Sequence, residues 1–202
     1  MAPKNKFTRE EMVAAALHVV RRKGEDALTA KALAEELGTS TQPVFTCFGT
    51  MDALRAEVFA AAEKQFVEYI QRGLREEIPF LGFGMYYISF AREEPILYRM
   101  LLLGPNAGIM ELVDRVGSIV YPRLMKIYRI TGPEARRYYR DMWLVAHSVA
   151  ALAVTGVALD EEELRRTLTG FSVGILRSIK EIPGFVDGTF DKDAIFKKLV
   201  AE

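Results

Sequence analysis

Apolar residues recur at three- and four-residue spacing along most of the chain, the pattern of amphipathic helices. Met12, Ala15, Ala16, Val19 and Val20 form the first such face. Thr8-Arg9-Glu10-Glu11 opens it as a capping box, with Thr at the cap and Glu three residues later, and Gly24 closes it. Leu28, Ala32, Leu33 and Leu37 carry a second, shorter face. Gly38 can take the positive φ that ends a helix, and Thr39, Ser40 and Thr41 can cap the next one. Pro43 is tolerated in a first turn only, so a third helix starts at about Ser40–Gln42. Val44, Phe45 and Phe48 give it an apolar side; Gly49 stops it and Thr50 caps the next helix. Two short helices joined by a tight glycine-containing turn are the helix-turn-helix layout, here gripped by the first helix through Leu33, Leu37, Val44 and Phe48.

A long fourth helix is expected from Thr50 to about Arg75, with Leu54, Val58, Ala61, Ala62, Phe66, Tyr69 and Ile70 in helical register and no Gly or Pro before Gly73. It leaves the three-helix unit without a flexible linker, so the two parts should be mechanically coupled. From Pro79 to Tyr128 large apolar side chains dominate, and Pro95, the Gly104-Pro105-Asn106 turn and Pro122 divide the stretch into shorter or kinked helices. Gly132-Pro133-Glu134 marks a restart. Two long helices come next, about 133–157 and 160–180, the second opening at Asp160 with Glu161, Glu162 and Glu163 where the helix dipole favours negative charge. Pro183-Gly184 ends it, and residues 191–201 add a short terminal helix. Strand alternation and repeats are absent. The expected fold is all-α in two domains, residues 1–50 and 51–202.

Half of the 202 residues are hydrophobic and the formal net charge is zero, so total charge favours no partner. Locally, residues 1–23 carry Lys4, Lys6, Arg9, Arg21, Arg22 and Lys23 against Glu10 and Glu11, while residues 24–51 carry Lys31 against Glu25, Asp26, Glu35 and Glu36. The basic footprint is an N-terminal arm and the end of the first helix. A single cysteine, Cys47, excludes an intrachain disulfide and suits a reducing, cytoplasmic setting. With two histidines and one cysteine, neither a transition-metal site nor a cofactor is expected. Met-Ala-Pro-Lys-Asn-Lys lacks the apolar stretch of a signal peptide. Met142 to Leu159 is uncharged and about as long as the shortest membrane spans. Its His147, Ser148, Thr155 and Gly156, and the charged segments on both sides, fit a buried helix better than a membrane span.

The N-terminal stretch resembles the tetracycline-repressor (TetR) family of bacterial transcription regulators. The matching features are the Thr8 start, Gly24, Leu28-Thr29, Leu33-Ala34, Leu37-Gly38, Ser40, Gln42-Pro43, Phe45, Phe48 and Leu54, in register throughout residues 8–58. Beyond them the similarity is architectural: a long linking helix, a helical ligand domain, and last helices carrying Trp143, His147, Leu152 and Asp160 to Ile179. The resemblance implies a homodimer whose two reading heads enter successive major grooves of a palindromic operator. It also implies a small apolar or aromatic effector that enters the second domain, shifts the fourth helix and releases DNA. Two departures stand out. Phe45 occupies a position where tyrosine is common, and Met51 one where lysine is common. Residues 38–51 hold no charged side chain.

Candidate DNA contacts are therefore Lys4, Lys6, Thr29, Ala30, Lys31, Ser40, Thr41, Gln42, Pro43, Phe45 and Thr46, with helix N-termini assisting. Phe66, Tyr69, Phe83, Tyr86, Tyr87, Phe90, Met110, Tyr121, Trp143 and His147 are candidates to line an effector pocket, since so many wide side chains broken by Pro and Gly are hard to pack without a cavity. Ala150, Val154, Leu168, Phe171, Gly174, Ile175 and Ser178 are candidates for the dimer interface, where Gly170, Gly174 and Ser178 form a small-residue stripe. Gly170-Phe171-Ser172-Val173-Gly174 matches the nucleophile-elbow pattern, but helical spacing continues through it and no histidine comes after His147, so no catalytic residue is assigned. The alternative function, raised by Phe45 and Met51, is a helical ligand-binding or interaction protein whose helix-turn-helix has lost operator binding. If operator binding is retained, few cations are released per subunit, and affinity should fall only shallowly with salt. A steep log–log slope in a binding titration contradicts that expectation.

Overall fold

The structure, a computed structural model, describes residues 7–104, 108–157 and 160–201. Among the described residues it holds ten α-helices, one 3₁₀ turn and no strand. The helices are α1 (Arg9–Lys23), α2 (Ala30–Leu37), α3 (Gln42–Phe48), α4 (Met51–Gly73), α5 (Pro79–Glu93), α6 (Pro95–Leu102), α7 (Ile109–Tyr128), α8 (Gly132–Val154), α9 (Glu161–Glu181) and α10 (Lys192–Ala201).

The local signals act where they stand in the sequence. Thr8 accepts from the Glu11 amide while Glu11 accepts from the Thr8 amide, a complete capping box. Gly24, Gly38 and Gly49 all take positive φ, Gly38 in the left-handed conformation that ends α2. Thr29 and Thr50 cap α2 and α4 by accepting the Ala32 and Ala53 amides, each at 3.1 Å. Pro43 lies in the first turn of α3. Pro122 lies inside α7, which runs on through it with Val116, Val120 and Leu124 in the core on either side. Only one helical hydrogen bond is lost at a proline. Helix α8 stops at Val154, three residues early, where Gly156 turns the chain with a φ of 94°.

The core is continuous from Met12 to Ile179. Helix α4 buries Leu54, Val58, Ala62, Phe66 and Ile70 at four-residue spacing, and so packs on α1 at one end and α5 at the other. Helix α5 is central, touching α4, α6, α8 and α9. Its approach to α4 depends on two glycines. A Cβ on Gly82 would lie 2.1 Å from the Gly73 carbonyl oxygen, and one on Gly73 would lie 2.4 Å from that of Gly82. Helix α6 lodges against α1, α4 and α5. At the far end α10 leaves Phe196, Leu199 and Val200 exposed. Among the described residues no helix is long and apolar enough to cross a membrane.

Backbone packed this closely cannot yield to a methyl group as a flexible side chain would. Gly82→Ala should lower the unfolding free energy by at least about 2 kcal/mol, as overpacking in a tight core does. An unchanged urea midpoint would show that the α4–α5 crossing can relax.

Candidate nucleic-acid interface and the helical domain behind it

Val44 and Phe48 of α3 are buried against the three-helix unit, which turns Thr41, Gln42, Phe45 and Thr46 outward together. Ser40 is exposed just before them, and Thr29 and Lys31 are exposed at the start of α2. Ala30 and Pro43 are half-buried and present less surface. Lys4 and Lys6 lie outside the described residues. The Thr46 hydroxyl donates to the Gln42 carbonyl at 2.9 Å. Thr41, although at the N-cap of α3, makes no side-chain cap hydrogen bond. Lys31 reaches outward, its Nζ 4.0 Å from Glu35.

Two cations of the first helix, Arg9 and Arg21, are engaged within the chain. Arg9 donates through Nε to both Glu57 oxygens, at 2.9 and 3.0 Å, and through Nη1 to the Cys47 carbonyl at 2.6 Å. Its guanidinium also lies 4.6 Å from the centre of the Phe48 ring. One side chain from α1 thus ties the last turn of α3 to α4. Arg22 lies 3.5 Å from Glu36, whose carboxyl is held below its ordinary pKa chiefly by a hydrogen bond with His18, 2.6 Å away. Arg21 turns inward: Nε and Nη2 each donate to Glu94 at 2.8 Å, and Nη2 also donates to Gln65. Glu94 is the residue between α5 and α6. Sequence alone offered no signal for these pairings, since each partner is more than forty residues away for Arg9 and Arg21, save the Cys47 carbonyl at 38.

Behind this unit Phe66, Phe83, Tyr87, Phe90, Trp143 and His147 come together. Phe66 meets Tyr87 and Phe90 edge-on at 5.2 Å, Phe83 lies 6.1 Å from Tyr87, and Trp143 stacks on His147 at 5.1 Å. The Tyr87 and Tyr98 hydroxyls lie 3.0 and 2.9 Å from His147 Nδ1, and Trp143 Nε1 donates to the Tyr87 hydroxyl. An accepting Nδ1 requires a neutral ring with its proton on Nε2. Burial favours the same state by lowering the His147 pKa. Tyr98, absent from the expected lining, is a full member of this group and is completely buried.

The other expected lining residues sit elsewhere. Tyr69 touches the cluster through Phe90, while its hydroxyl donates to Glu93 at 2.6 Å. The inward positions of α5 are Phe80, Phe83, Tyr87, Phe90 and Ala91, so Tyr86 falls on the opposite side and donates to Glu76. There it borders an open groove of about 420 Å³ with Leu81, Met85 and Arg165. Tyr121 packs on Tyr139 at the α7–α8 contact. Met110, in the first turn of α7, is 56% exposed and lines no interior space.

The expected dimer face also divides. Ala150, Val154 and Leu168 are buried within the chain. Leu168, for example, fills the space left by Gly84, where an added Cβ would lie 2.8 Å from it. Phe171, Gly174, Ile175 and Ser178 instead line a shallow, mainly apolar groove of about 460 Å³ on the outside of α9, with Phe185 at its edge. Leu144 and Leu152 extend the exposed apolar surface on α8. Ser172 lies mid-helix and hydrogen-bonds with Tyr138, so the elbow geometry does not exist.

No protein-family model matches the chain. It is 26% identical over 161 residues to an uncharacterised HTH-type transcriptional regulator of Mycobacterium tuberculosis, covering 77% of this chain and 74% of that one. A tetR-family transcriptional regulator from Streptomyces coelicolor superimposes with a TM-score of 0.67 at 18% identity, over 96% of both chains. A protein of unknown function from Rhodococcus sp. RHA1 superimposes with a TM-score of 0.63 at 22% identity, over 88% of this chain and 98% of that one. At these identities the two structures establish the shared all-α fold.

The histidine network sets a pH dependence. Because burial lowers the His147 pKa from 6.5, the unfolded chain takes up a proton below that pH that the folded ring resists. The ring's contribution to stability is complete above pH 6.5 and is lost as pH falls through the depressed folded value. His147→Gln should therefore lose less stability than the parent protein between about pH 7 and pH 5, read as urea midpoints. Equal losses in the two proteins would exclude the effect.

Proposed function

We propose that this chain, which has the TetR-family fold, is a ligand-responsive transcriptional regulator. In this reading it is a cytoplasmic repressor that binds a palindromic operator as a homodimer and is released by a small apolar or aromatic effector. Residues 1–50 form the DNA-binding domain and residues 51–202 the ligand-binding and dimerisation domain. The outward set of Thr41, Gln42, Phe45 and Thr46, on a helix fixed from behind by Val44 and Phe48, carries the proposal. Thr41, Gln42 and Thr46 are side chains suited to base edges and phosphates, held on a rigid element.

The route from effector to reading head is physical. Phe66 belongs to α4, and Tyr87, Phe90 and Tyr98 belong to the two helices that meet at Glu94. A molecule admitted among these rings must displace α4, α5 or α6. Each of them is tied to α1 by packing or through Arg21. A ligand that prefers one arrangement then biases the position of α1–α3. The exposed groove of Phe171, Gly174, Ile175 and Ser178 on α9, with Leu144 and Leu152 exposed on α8, supports pairing of two copies through these helices.

The second reading, an interaction protein that no longer binds operators, is favoured by one observation: the first-helix arginines Arg9 and Arg21 are engaged internally and α3 carries no charge. Footprinting on the intergenic DNA beside the gene separates the two. The regulator should protect two half-sites symmetrically, and Gly174→Leu should lose both that protection and the dimer seen in sedimentation. Absence of any protected site would favour the second reading.

A further inference from the structure

We infer that α3 selects A·T base pairs, reading thymine by its methyl group through Phe45 and Thr46 and adenine through Gln42. This rests on the DNA-binding reading above and gives it a sequence preference.

The outward residues of α3 fall at positions 41, 42, 45 and 46, a single face of the helix, while Val44 and Phe48 point into the core and Cys47 is half-buried. Any base contact from this helix therefore comes from two threonines, one glutamine and one phenylalanine. In the major groove guanine shows two acceptors, most often read by Arg or Lys, and cytosine a single amino donor, read by Asp or Glu. None of those residues occurs between Gly38 and Met51. Arg9, the cation nearest this helix, is held by Glu57 and by the Cys47 carbonyl on the inner side of α3. Adenine shows an acceptor beside a donor, the pattern an amide complements, and Gln42 is the exposed amide. Thymine alone shows a methyl group.

Phe45 is 47% exposed on an otherwise polar face and has no group that can bond to a phosphate or a base edge. Its apolar surface is matched by the thymine methyl. Thr46 adds a methyl group beside it, and its hydroxyl proton, given to the Gln42 carbonyl, is not free to donate to the two acceptors of guanine. The lack of charge on α3, which weakens its hold on phosphate, is thus what gives the helix a preference among bases.

The test starts from random duplex DNA selected on the full-length protein. The recovered half-sites should have A·T pairs where α3 docks. Replacing each thymine there by deoxyuridine removes only the methyl group. At one or two positions this should weaken binding about fourfold, the effect of withdrawing one buried CH₂-sized group. Phe45→Ala should bind the thymine duplex more weakly and no longer distinguish it from the uracil duplex at the position Phe45 meets, whereas Phe45→Leu should keep part of the distinction. Circular dichroism on both variants checks that the exposed position leaves the fold intact. Uracil tolerated at every half-site thymine, or half-sites with G·C pairs at the docking positions, overturns the inference while leaving DNA binding in place. Failure to recover any duplex overturns the DNA-binding reading together with it.

Discussion

The contact between Gly73 and Gly82 determines how the larger part of the molecule is built. With no Cβ on either residue, the end of α4 and the start of α5 meet backbone to backbone. That proximity sets Phe66 of α4 against Tyr87 and Phe90 of α5. Helix α5 in turn gives α8 and α9 their inner surface, with Gly84 admitting Leu168 in the same way. Glycine in a helix costs stability by propensity alone. Here the loss is offset by an interior of interlocked aromatic rings.

The join between the three-helix unit and this interior is broad. Helix α4 runs through it, α6 packs against α1, and Arg21 grips Glu94 from across it. The Arg21–Glu94 pair is only partly exposed, so separating the partners would leave charges poorly solvated. It holds one arrangement in place and makes intermediate ones unfavourable.

What could be read from the sequence was local. The capping box at Thr8, the glycine stops at 24, 38 and 49, and Pro43 in a first turn depend on neighbours within four residues, and each acts where it was expected. The all-α layout came from the spacing of apolar residues. Readings that depended on distant partners fared less well. Arg9 and Arg21 looked like free cations because Glu57 and Glu94 lie far away in the chain. Ala150, Val154 and Leu168 are covered by the chain's own core; periodicity identifies an apolar face without saying what covers it. Met110 and Tyr86 were grouped with the aromatic cluster by composition, whereas the helical phase places them on other surfaces. At Pro122 the helix continues, with core packing on both sides of the missing hydrogen bond.

The stacking of Trp143 on His147 has a practical consequence. The chain has one tryptophan, and its indole lies 5.1 Å from the imidazole, with its N–H bonded to Tyr87. All indole emission therefore originates inside the helical domain, among its buried rings, and none from α3. The protein thus carries a native optical reporter of its interior, one that needs no attached dye.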